Sequence, residues 1–170
     1  MPELWGRNEQ SILITTCYIQ RLRMGEQREV KPFDQKLYDR DDAAKYFVID
    51  WLKTLDIQAR VNPDPYGIDL LANGPLGEYE IEVEVKQSWS GHRFPYESLH
   101  FAGRKAKFIR DGINLRFVTL NKEWTYAAIV SGEQLSSAQV IKKNTIYTTD
   151  ESFIEIPADQ IQIRATNQSW

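Results

Sequence analysis

Gly67-Ile68-Asp69-Leu70-Leu71-Ala72-Asn73-Gly74-Pro75-Leu76-Gly77-Glu78-Tyr79-Glu80-Ile81-Glu82-Val83-Glu84-Val85-Lys86 is the stretch around which the chain organises itself. Its second half alternates strictly. Ile81, Val83 and Val85 face one way, and Glu80, Glu82, Glu84 and Lys86 the other, because successive strand side chains point to opposite faces. Asn73-Gly74-Pro75-Leu76-Gly77 is rich in turn formers, so the stretch predicts a β-hairpin folded about Pro75–Leu76. That fold sets Asp69 opposite the neighbourhood of Glu82 and Glu84. Directly opposed Cβ atoms lie about 5 Å apart and diagonal ones about 7–8 Å. Asp69, Glu84 and Lys86 are thereby expected close together on one face.

Two carboxylates at that separation suit a hard divalent cation, which one or two carboxylates typically hold together with waters and substrate phosphate. Such a cation polarises a phosphoryl oxygen and acidifies a bound water. Lys86, on the same face, can orient that water or stabilise developing negative charge. Alternating Glu and Lys also mark a merely solvated strand face. Against that stands Asp69, a carboxylate set in the apolar run Ile68, Leu70, Leu71, Ala72, where burial is costly unless something pairs with it.

The order Gly67-x-Asp69, a turn, then Glu84-Val85-Lys86 resembles the active-site signature of the PD-(D/E)xK nuclease superfamily, which includes restriction enzymes and archaeal Holliday-junction resolvases. The resemblance implies that Asp69, Glu84 and the Val85 backbone carbonyl bind Mg²⁺ or Mn²⁺, and that Lys86 is the catalytic lysine. The sequence departs from the signature in that Ile68, not proline, precedes Asp69. A literal Pro63-Asp64 lies upstream, but the hairpin register would carry Asp64 past Lys86, and Asn62-Pro63-Asp64-Pro65 reads as a turn.

The chain has 170 residues, enough for one domain with a real core. We expect an extension over 1–38, a core over 39–130 and a C-terminal elaboration over 131–170. Apolar residues make up 42% and charged ones 26%, the balance of an ordinary soluble protein. No apolar run approaches the ~18 residues of a membrane span, and no secretory leader pattern opens the chain. One cysteine, Cys17, fits a reducing cytoplasm, and with two histidines it falls short of a structural zinc set.

The net charge of −3 does not announce a nucleic-acid partner, but its distribution matters more. From Lys86 to Lys122 run Arg93, Arg104, Lys105, Lys107, Arg110 and Arg116, opposed only by Glu97 and Asp111. Arg93, Arg104, Lys105, Lys107 and Arg110 are candidate phosphate contacts; a solvated helix face is the alternative.

Ser11 to Ile19 is β-branched enough for a strand, and Gly25 to Phe33 reads as a loop. Asp39 to Leu55 is the clearest helix, with Ala44, Phe47, Val48, Trp51, Leu52 and Leu55 at three- and four-residue spacing. Asp39 or Asp41 is the expected N-cap. In the resembled superfamily the helix before the hairpin often supplies an acid near its start, and Asp42 is the position that matches; helix capping by Asp41 and Asp42 is the alternative. Ile57 to Val61 predicts a strand.

Gln87 to Pro95 predicts a loop. In it His92 could be a base or simply exposed, and Trp89 and Phe94 could stack on bases or pack inside. Gln87 would support the site only indirectly. Tyr96 to Arg110 predicts a helix, or a loop ahead of a shorter helix from about Gly103 that projects Arg104, Lys105, Lys107 and Arg110. Leu115 to Leu120 and Trp124 to Val130 predict strands, Ser131 to Leu135 a capped short helix, and Thr145–Thr148, Phe153–Ile156 and Ile161–Ile163 short strands.

The expected fold is α/β (α+β), a central mixed β-sheet flanked by helices with the restriction-endonuclease-like order αβββαβ. The expected activity is Mg²⁺-dependent hydrolysis of nucleic acid, DNA before RNA, with a homodimer left open. The alternatives are a non-catalytic nucleic-acid-binding or regulatory protein on the same fold, and a small α/β scaffold with no nucleic-acid role.

Overall fold

The computed structural model describes residues 34–167. The strand expected over 11–19 and the loop over 25–33 lie outside them. Helix α1 spans Gln35–Lys53 and buries Ala44, Val48, Trp51 and Leu52, the stripe its spacing predicts. It begins earlier than expected. Asp34 Oδ1 accepts the Lys36 backbone N–H at 3.0 Å, so Asp39 and Asp41 lie within the helix and are not its N-cap.

Strands β1 (Gln58–Val61), β2 (Leu70–Gly74) and β3 (Gly77–Lys86) follow. The β2–β3 hairpin turns at Pro75–Leu76, in the register Gly74↔Gly77 and Leu70↔Ile81. Gly77 has a φ of 103°, which a residue with a side chain rarely adopts. Asp64 sits in the preceding turn as expected, its Oδ1 accepting the Tyr66 N–H at 3.0 Å.

A parallel neighbour for β3 requires the chain to cross a face of the sheet. The crossing was expected to be a helix over Tyr96–Arg110, or a loop ahead of a shorter helix from about Gly103; the second alternative places the helical turn, but what precedes it is not a loop. The crossing is strand β4 (Ser98–Ala102) followed by a 3₁₀ turn, η1 (Gly103–Phe108). Leu99 and Phe101 alternate with Ser98 and His100 at the strand period, and both are buried. Strands β5 (Leu115–Asn121) and β6 (Tyr126–Ser131) come next. A short helix, α2 (Gly132–Ser137), is held by a reciprocal capping box between Ser131 and Gln134.

Three strands close the chain: β7 (Gln139–Lys143), β8 (Glu151–Pro157) and β9 (Gln162–Ala165). β7 was not expected, and Thr145–Thr148 is not a strand. There Thr145 Oγ1 accepts the N–H groups of Tyr147 and Thr148, a local bond that competes with strand pairing.

The central sheet has six strands in the order β1-β2-β3-β5-β6-β9, with β3 and β5 parallel and the other pairs antiparallel. It is therefore mixed, within an α/β architecture. Its covering differs from the expectation. One face packs on α1 through Leu70, Ala72, Ile81, Val118 and Leu120. The other is covered not mainly by helix but by a second, three-stranded sheet, β4-β8-β7, through Phe101, Phe117, Ile154 and Ile156. Trp89 is wholly buried in this second core, edge-on to Phe94 at 5.3 Å, so its ring presents no free face for base stacking; Phe94 is half-buried between Trp89 and Tyr96. Among the described residues no helix is long and apolar enough to cross a membrane.

Candidate active site

The hairpin register carries Asp69 to the level of Glu82, one step beyond the pair Leu70↔Ile81. Asp69 Oδ2 accepts the Val83 backbone N–H at 2.9 Å, which ties the carboxylate to the neighbouring strand. Its Oδ1 lies 3.1 Å from Lys45 Nζ, and Lys45 also reaches Asp42 at 3.3 Å. The Asp42 contact is an i,i+3 pair within α1, and the Asp69 contact arises because α1 crosses this end of the sheet. Burial works against the Lys45 charge, but the charges and hydrogen bonds of Asp69 and Asp42 together raise its pKa.

On β3, Glu82 and Glu84 share a face and converge on a single ammonium. Lys105 Nζ stands 2.9 Å from Glu84 Oε2 and 3.2 Å from Glu82 Oε1. The Lys105 side chain is 14% exposed and that of Glu82 12%. Burial pushes the Glu82 carboxyl up to about 7; Asp69 and Glu84 push the same way, and Lys105 opposes them. Burial also works against the Lys105 charge, yet Glu84 and Glu82 together raise its pKa.

Asp41 belongs to this field as well. The protein around its carboxyl, although the residue is exposed, raises its pKa first; the Glu84 charge adds to the rise, while Lys45 counters it. Asp42, the helix acid matched from the sequence, is held by Lys45, so two adjacent helix acids address the site in different ways.

Lys86 points elsewhere on its face. Its ammonium lies 5.0 Å from the centre of the Tyr96 ring, and no ion pair joins it to Asp69 or Glu84 among the described residues. Val85 turns its side chain to the α1 side, and its backbone lies in the β3–β5 ladder opposite Leu120. The structure thus brings together Asp69, Glu82, Glu84 and the α1 acids, with Lys86 at the margin.

The basic block disperses. Lys105 turns inward. Arg110 donates to both Glu80 oxygens at 2.7 Å, and Lys107 donates to the Tyr66 carbonyl at 3.0 Å. Arg93 and Arg104 are exposed, as are His92 and Gln87. Tyr66, held by Lys107 in the turn leading to Asp69, is 84% exposed.

Sequence reasoning had not singled out Glu82, Lys45 or Thr119. Glu82 was visible as a third acid in the alternation. Thr119 pairs with Glu84 across the parallel ladder and therefore shares its face. Its hydroxyl is fully buried and has no hydrogen-bond partner among the described residues.

No three acid, histidine or cysteine side chains already converge as metal ligands among the described residues; Lys45 and Lys105 stand between the carboxylates they bridge. The donors nonetheless fit a hard cation. Asp69, Glu82, Glu84 and the orphaned Thr119 hydroxyl are all oxygen, the ligand class Mg²⁺ and Mn²⁺ prefer. The five carboxylates of Asp41, Asp42, Asp69, Glu82 and Glu84, when ionised, outnumber the two ammoniums of Lys45 and Lys105.

Comparison with protein-family models and with curated proteins finds no match. Among solved structures, the chain is similar in fold to Hjc, a Holliday junction resolvase from the archaeal hyperthermophile Archaeoglobus fulgidus. Identity is 10%, the match covers 71% of this chain and 85% of that one, and the TM-score is 0.47.

Proposed function

We propose that this chain is a Mg²⁺- or Mn²⁺-dependent nuclease, a DNA endonuclease before any other kind. The observation that carries the reading is the Asp69 carboxylate, anchored at 2.9 Å by the Val83 N–H and set beside Glu82 and Glu84 in an all-oxygen site. Asp69, Glu84 and the Val85 carbonyl would hold the ion, with the α1 acids beside them. When bound, the cation polarises a phosphoryl oxygen and lowers the pKa of a water.

The chain's own groups do the rest. Asp69 keeps its orientation through Val83. Among the described residues the Lys86 amine has the Tyr96 ring alone to leave in order to meet a scissile phosphate. Arg93 and Arg104 can neutralise flanking phosphates directly, whereas Lys107 and Arg110 must first give up the Tyr66 carbonyl and Glu80. Each phosphate contact steepens the salt dependence of duplex binding by a slope of about −0.9.

The test incubates labelled single- and double-stranded DNA and RNA with Mg²⁺, Mn²⁺ or EDTA. Metal-dependent products are expected. Lys86→Ala should bind its substrate as wild type does and cleave about 100-fold more slowly or worse, the scale of losing one group that stabilises developing charge. Full cleavage by Lys86→Ala, or cleavage undiminished in EDTA, would overturn the reading.

A second reading has its own observation. Lys45 and Lys105 neutralise the carboxylates as structural ion pairs would, which suits a nucleic-acid-binding protein with no catalysis. Substrate retarded but uncut in every metal would favour it.

A further inference from the structure

Lys105 reaches the carboxylates from outside the hairpin. Gly103 opens η1 so close to β8 that a Cβ there would stand 2.8 Å from the Ser152 carbonyl oxygen. That close approach sets η1 against β8, and Lys105, two residues on, meets Glu84 at 2.9 Å and Glu82 at 3.2 Å. A lysine ammonium is a compact point charge on a flexible stem, the protein group nearest to a small cation.

The Thr119 hydroxyl is an independent sign. It lies on the same face beside Glu84, fully buried, and has no hydrogen-bond partner among the described residues. A buried hydroxyl left unpaired is costly, and one at a ligand site is accounted for by the ligand.

Resting on the reading of the site as a divalent-cation centre, we propose that Glu82, Glu84 and Thr119 Oγ1 form a cation seat that Lys105 fills in the metal-free protein. The Glu-x-Lys motif contains neither Glu82 nor Lys105. A dication and an ammonium repel strongly at contact distance in a partly buried site. Metal binding therefore expels Lys105 from between the two glutamates, and Lys105 and the ion compete for the seat.

The experiment titrates Mn²⁺ alone into the full chain by calorimetry, without nucleic acid, for wild type, Lys105→Met, Lys105→Arg and the double variant Lys105→Met, Glu82→Gln. Lys105→Met should bind Mn²⁺ about tenfold more tightly than wild type or better, because a competing charge is gone. Lys105→Arg should stay near wild type, and the double variant should lose most of the gain. A melting temperature near that of wild type shows that Lys105→Met is folded.

Should Lys105→Met not fold, wild type serves. Acetic anhydride labelling read by mass spectrometry should rise several-fold at Lys105 on saturation with Mn²⁺. Folded Lys105→Met with equal or weaker Mn²⁺ affinity, or Lys105 labelling unmoved by Mn²⁺, overturns the seat but leaves the nuclease reading standing if wild type still binds Mn²⁺. No Mn²⁺ binding by wild type or by the variant overturns both.

Discussion

Glu82→Gln replaces one oxygen with an amide nitrogen at the one carboxylate that ranks as buried among the described residues. Glutamine imitates the protonated acid, so the variant reports what the charge does. Burial, with Asp69 and Glu84 adding to it and Lys105 opposing, lifts the Glu82 pKa from 4.5 to about 7. The unfolded chain loses this proton near 4.5, whereas the folded protein keeps it to about 7. Between those values the folded state binds more protons, so stability falls as pH rises through the window and levels off above it. The distance from 4.5 to about 7, at about 1.4 kcal/mol for each pH unit, comes to about 3 kcal/mol.

Glutamine does not ionise, and the variant escapes that loss. The assay is urea denaturation followed by circular dichroism, in EDTA, from about pH 4 to pH 8.5. The stability of Glu82→Gln minus that of wild type should be near zero at the acid end. It should climb between about pH 5 and 7 and settle at about +3 kcal/mol above pH 8. A difference that stays flat with pH, or a variant less stable than wild type at pH 8, would refute the assignment of an uncomfortable buried charge to Glu82.

Gly103→Ala forces a methyl group to 2.8 Å from the Ser152 carbonyl oxygen and 2.9 Å from its Cβ; overpacking of this kind costs about 1–3 kcal/mol, and unchanged urea stability would show that η1 does not depend on the close approach. Trp89→Ala empties a fully buried position packed on Phe94; the expected loss is about 3–5 kcal/mol, and a loss below about 1 kcal/mol by the same method would show that the loop after Lys86 is not anchored there.

Much of the frame is written locally. The apolar spacing of α1, the turn residues around Pro75 and the alternation through β3 are each satisfied within about twenty residues, and tertiary contacts have little to overrule. The helical turn from Gly103 was legible, but β4 was not: Leu99 and Phe101 alternate over too few residues to outweigh the loose helical spacing of Leu99, Ala102, Ala106 and Ile109. No local signal marks β4-β8-β7 as one sheet, because its pairs join residues as distant as Ser98 and Pro157.

The same division runs through the site. The sequence by itself determined that Asp69 falls at the level of Glu82 and on the face of Glu82 and Glu84, because a two-residue turn between alternating strands permits one register, and a slip by one residue would turn every apolar side chain outward. Only the tertiary structure decided which cations meet them. Neighbouring helix positions point about 100° apart, so the rotation of α1 on the sheet chose how Asp41, Asp42 and Lys45 face the hairpin. The approach of Gly103 to Ser152 turned Lys105 inward from a block that reads as outward-facing. Charge attraction has no sequence period, and its partners are settled by packing of the apolar faces, which supplies most of the folding free energy.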